Sequence, residues 1–103
     1  MAYIPAMEVR KTDVFQVWLD GLKDVAAHAR IVKRLVRIEK DGHLGAHHGV
    51  GDGVSELIFD FGPGYRVYYV EKEPGVLIIV LGGGDKDSQA SDIEKAKALA
   101  KEV

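Results

Sequence analysis

Three stretches of the sequence carry side chains able to act on a charged substrate. Asp41 to Gly53 (DGHLGAHHGVGDG) sets His43, His47 and His48 among five glycines. That composition predicts a loop. Imidazole titrates near neutral pH, so one of these residues, His48 foremost, can contact a phosphate or move a proton. Clustered imidazoles also invite zinc, but structural zinc sites usually need four ordered ligands, and the chain has no cysteine. No metal and no cofactor is expected. The second stretch holds Arg66 within the strand pattern Tyr65 to Val70. An arginine there must reach an edge, pair with an acid or line a concave surface, because a lone buried charge is costly. Glu56 and Asp60, across the preceding turn, are candidate partners. Lys86 follows a glycine run of the kind that can cradle phosphates, although the spacing is not that of a nucleotide P-loop. The third group is Arg30, Lys33, Arg34, Arg37 and Lys40, spaced by three and four. It predicts a basic ridge on one helix, suited to phosphates, to an acidic partner segment or simply to solvent.

These residues need positioning elements. Val54 to Lys86 reads as three consecutive strands. Pro63 and Gly64 make the first turn, and Glu73-Pro74-Gly75 the second. Val76 to Leu81 is continuously apolar, which suits a strand buried on both faces at the centre of a sheet. Alternation places Tyr68 on the same face as Arg66. Upstream, Met7 to Lys11 has a short strand pattern. Thr12 or Asp13 can cap a helix bearing Phe15, Trp18, Leu19 and Leu22, which Gly21 weakens or ends. Asp24 can cap a second helix reaching about Lys40. Its predicted core stripe is Leu22, Val25, Ala29, Val32 and Val36, widened by Ile31 and Leu35. Asp87 or Ser88 can cap a final helix, Gln89 to Lys101, with a weak stripe of Ile93, Ala96 and Ala100.

The resulting order is β-α-α-β-β-β-α. It predicts an α+β fold, with an N-terminal strand and helical hairpin on a small twisted sheet, mainly antiparallel, and a C-terminal helix. One domain over residues 1–103 is expected. The composition, 47% hydrophobic and 29% charged, is that of an ordinary globular protein. No stretch approaches the roughly 20 apolar residues of a membrane span, and no signal-peptide pattern is present, so a cytoplasmic location is expected. The formal net charge of −2 argues against a general nucleic-acid binder, while leaving room for local basic patches.

In their order and spacing, several segments resemble the RelE/ParE toxin superfamily, more closely its HigB-like branch of addiction module killer proteins. They are F-x-x-WL-x-x-LKD (Phe15 to Asp24), RI-x-x-RL-x-R (Arg30 to Arg37), V-G-x-GV-x-EL (Val50 to Leu57), GPGYRVYY (Gly62 to Tyr69) and GGDK-x-x-Q-x-x-DI-x-x-A (Gly83 to Ala96). The resemblance implies the toxin of a type II toxin–antitoxin pair. Its expected activity is ribosome-dependent cleavage of messenger RNA, and its expected partners are the ribosome, messenger RNA and a helix-turn-helix antitoxin in a hetero-oligomer. It also leaves open a gyrase-inhibiting or a purely antitoxin-binding member. In this resemblance Arg66 and Lys86 stand as catalytic cations. His48 takes the place of a lysine, Tyr68 could stack on a base, and Arg30, Lys33, Arg34 and Arg37 would meet RNA. One departure stands out: Ile58 sits where related sequences carry an arginine. The face of the meander bearing Arg66 is expected to be open to solvent.

Overall fold

The computed structural model describes residues 4–103, so the expectation of one domain over 1–103 reaches three residues outside that range. A strand, β1 (Glu8–Lys11), leads into helices α1 (Asp13–Asp20) and α2 (Val25–Asp41). Four strands follow, β2 (His47–Gly51), β3 (Val54–Ile58), β4 (Arg66–Glu73) and β5 (Leu77–Gly84), and the last element is α3 (Gln89–Ala100). The sheet order is β1-β5-β4-β3-β2. β1 runs parallel to β5, and all other neighbours are antiparallel.

The helix starts follow from their caps. The Thr12 hydroxyl accepts the Phe15 amide at 3.1 Å and donates to the Leu81 carbonyl at 3.0 Å, so one side chain both starts α1 and ties it to β5. Asp24 accepts the Ala27 amide at 3.0 Å, and Gly42, at φ 74°, ends α2 in the left-handed conformation that favours glycine. Both helices cover one face of the sheet, where Phe15, Leu19, Ile31, Leu35 and Ile38 pack with Leu57, Val67, Tyr69, Ile78 and Val80.

Four expectations need correction. The glycine- and histidine-rich stretch is not all loop, because residues 47–51 form β2 on the sheet edge. The Gly51-Asp52-Gly53 reversal, with all three residues at positive φ, permits the pairing that the composition hides. Of the apolar run, Ile78 to Leu81 are buried as expected, while Val76 precedes β5 and is exposed; the middle strand is β4, and β5 lies one place toward β1. The core stripe of α2 is Ala27, Ile31, Leu35 and Ile38, while Val25 and Val36 face solvent. Finally, the second sheet face is covered by α3. There Val54, Tyr68, Ile79 and Leu81 meet Ala96, with Ile93 and Leu99 at the margin.

Gly83 explains how α1 sits so close to the sheet. A methyl group there would lie 2.3 Å from the Trp18 ring. Gly83→Ala is therefore expected to destabilise by about 3 kcal/mol through overpacking, read as a lowered thermal midpoint. An unchanged midpoint would mean that Trp18 swings away freely. No helix of the described residues is long and apolar enough to cross a membrane.

Candidate functional site

At the end of the sheet where β3 finishes and β4 begins, Arg66 pairs in register with Ile58 on one side and Gly84 on the other. The residue is only 8% exposed. Nη1 donates to the carbonyls of Gly64 (3.2 Å) and Tyr65 (3.0 Å). Nε lies 3.9 Å from Glu56 Oε1, is enclosed, and has no hydrogen-bond partner. Nη2 is neither bonded to protein nor enclosed, so it alone of the three nitrogens can turn toward a ligand. The anticipated internal ion pair with Glu56 is present, although it is long.

Glu56 is 4% exposed, and Gln89 at the start of α3 donates to both its carboxylate oxygens, at 3.2 and 3.0 Å. From the sequence, Gln89 is the glutamine of the GGDK-x-x-Q segment and the start of the last helix, with no chemical role. Its signal was its place, three residues after Lys86 and at the first position of a helix. Glu56 is the in-register partner of His48 on β2, so the two side chains leave the same sheet face as neighbours. A buried carboxylate, an imidazole and a guanidinium are thus brought together, a set able to accept a proton, donate one and hold an anionic oxygen. Among the described residues no three histidine or acidic side chains converge as metal ligands.

Lys86 arrives from the other side. Its aliphatic stem lies over Gly64, where a Cβ would come within 2.9 Å of Cγ. Gly64 therefore joins the two cations: its carbonyl accepts from Arg66 and its bare α-carbon seats Lys86. Lys86 also lines an open hollow of about 310 Å³ with Asp60 and the Phe61–Gly64 turn. Its exposed ammonium is free to meet a phosphate at that rim.

Two of the anticipated RNA contacts are placed elsewhere. Tyr68 shares the Arg66 face but is 1% exposed beneath α3, so it cannot stack on a base in this conformation. Burial pushes its hydroxyl pKa up, as do Glu56 and Asp92, with Arg66 opposing them. Burial also raises Tyr69. A phenol whose folded pKa exceeds its unfolded value stabilises the fold below the unfolded pKa, and that contribution is lost as pH rises through the folded one. Stability is thus expected to decline above about pH 10. Tyr68→Phe is expected to flatten that decline in urea titrations on either side of that pH; an identical slope would refute the assignment.

Arg34 is also withdrawn from the ridge. It donates to the carbonyls of Leu44 (2.9 Å), Ile58 (2.8 Å) and Ala46, and its guanidinium lies 4.7 Å from the Phe59 ring centre. Burial lowers its pKa, with Tyr69 raising it and Arg37 adding to the lowering. Arg30 sits 4.5 Å over the Phe61 ring and stays exposed, as do Lys33 and Arg37.

No family model matches the chain. Among solved structures it superposes on E. coli toxin RelE, an arginine-substituted mutant in the free state, with a TM-score of 0.69, 17% identity and coverage of 92% of this chain and 97% of that one. It also superposes on the toxin–antitoxin complex RelBE2 of Mycobacterium tuberculosis, with a TM-score of 0.60, 16% identity and coverage of 79% and 99%. The fold is therefore that of the RelE-type toxins. In sequence the chain is 43% identical over 97 residues to an uncharacterized protein of Haemophilus influenzae, covering 94% of this chain and 96% of that one. The chain belongs to the same family as that Haemophilus protein.

Proposed function

We propose that the protein is the toxin of a type II toxin–antitoxin pair and a HigB-like, metal-independent endoribonuclease. It acts in the cytoplasm on messenger RNA at the ribosome and is held silent by a helix-turn-helix antitoxin. The observation that carries this reading is the meeting of Arg66, Glu56 and Lys86 at one open end of a RelE-type sheet. RNA supplies its own 2′-hydroxyl nucleophile. The protein has to accept that proton, steady the phosphorane and protonate the 5′-oxygen. Glu56 is the buried proton acceptor, Arg66 Nη2 and Lys86 bear the developing negative charge, and His48 stands beside Glu56 as the donor.

A second reading draws on the same geometry. Only Nη2 of Arg66 is open to a ligand, and Ile58 offers no cation beside it. This favours a member that binds antitoxin with little cleavage. Induction of the chain alone, followed by primer extension on a reporter transcript, separates the two. Growth arrest with ribosomal A-site cleavage, relieved by Lys86→Ala, supports the nuclease. Stable antitoxin binding without arrest supports the second reading, and DNA-damage signalling in place of translational arrest would overturn both.

A further inference from the structure

The outer face of α2 is not absorbed by the site just described. Val25, Ala29 and Val36 follow one another at helical spacings of four and seven, and all are exposed, Val25 by 81% and Val36 by 47%. Beside this row run Lys33 and Lys40, and beyond them Arg30 and Arg37. From Val25 to Ile38 there is no acid; Glu39 follows on the far edge of the row, three residues from Val36, and Asp41 reaches Arg37 at 3.9 Å, with both side chains exposed. An apolar seam edged on one side by cations is thus left uncovered on a protein of net charge −2.

We infer that this face docks an acidic amphipathic helix of a partner protein, its apolar stripe on Val25, Ala29 and Val36 and its carboxylates against Lys33, Lys40 and Arg37. Charge decides among the occupants. A second copy of this chain would set four cations against four, and the half-buried Glu39 on the opposite edge of the row does not balance them. Nucleic acid would gain from the cations but nothing from the valines. A helix with leucines flanked by glutamates satisfies both rows, and the alanine between the valines lets it approach closely. The inference does not depend on the chemistry at Arg66.

The test uses the whole folded protein, labelled with ¹⁵N, and a synthetic peptide of about three heptads with leucine at the seam positions and glutamate at their flanks. Amide shifts confined to the outer face of α2, weakening with added salt, are expected. Val25→Asp with Val36→Asp is expected to abolish them. Lys33→Glu with Lys40→Glu is expected to weaken binding at least about tenfold and to transfer preference to the same peptide carrying lysine for glutamate. All four positions are exposed, so the variants retain the fold, which their amide spectra verify. Absence of shifts, insensitivity to the valine changes, or shifts of α2 by an oligouridylate and not by the peptide would overturn the inference. Arrest on induction of the chain alone is expected to survive the valine changes, so failure here is distinct from failure of the proposed activity.

Discussion

Replacing Arg34 by alanine is expected to lower stability by about 3 kcal/mol, although the side chain lies on the predicted basic ridge. Three backbone carbonyls, from Leu44, Ala46 and Ile58, lose a charged donor together. Each charge-assisted bond contributes roughly 1.5–3 kcal/mol. The contributions do not add fully, because exposed Ala46 regains water and still accepts the Ile58 amide at 2.9 Å. The stacking over Phe59 is lost as well. Lysine is not expected to rescue, since an ammonium cannot span three acceptors with the geometry of a planar fork. Urea titration measures the loss. Hydrogen exchange adds a local signature, with faster exchange of the Ile58 amide, because Arg34 ties the entry of β2 to the end of β3. A change below about 0.5 kcal/mol, the range of ordinary surface substitutions, would return Arg34 to the solvent-facing ridge.

The second large effect concerns Glu56. Glu56→Ala is expected to cost about 3 kcal/mol by leaving the buried guanidinium of Arg66 without its counter-charge. Gln89 would lose its acceptors at the same step. Arg66→Ala is expected to cost less, since Gln89 still serves the carboxylate, but, on the proposed nuclease activity, to reduce transcript cleavage by roughly 10²–10³, the usual effect of losing one transition-state contact. The double variant is expected to be more stable than the sum of the two losses predicts, with a coupling of about 1–3 kcal/mol. Strict additivity would show that the 3.9 Å separation carries no interaction.

The parts of this design legible in the sequence were those fixed locally. Thr12 and Asp24 declared the helix starts through their side chains, and Pro63-Gly64 declared the reversal before β4. The pairing of Arg66 with Glu56 could be anticipated because both lie on strands with clear alternation. What escaped was set by pairing at a distance. Residues 47–51 have poor strand propensity and become a strand only because β3 offers them a partner. On α2, two adjacent apolar rows satisfy the same periodicity. Val25, Ala29 and Val36 lost the core to Ala27, Ile31, Leu35 and Ile38, and periodicity does not say which row meets the sheet. Tyr68 read as accessible because nothing in its own strand reveals that α3 folds back over it.

The parallel pairing of β1 with β5 bears on how the protein is made. Glu8–Lys11 is synthesised well before its partners, Leu77–Val80. Chain emerges at about 5–20 residues per second, so β1 waits several seconds with its edge unsatisfied. Such a long closure is also entropically late in folding. The cations and carboxylate of the site come from β3, β4 and the segment after β5, so no nascent fragment ending before Lys86 can assemble them. The site therefore comes together only after the last strand of the sheet has been made and paired.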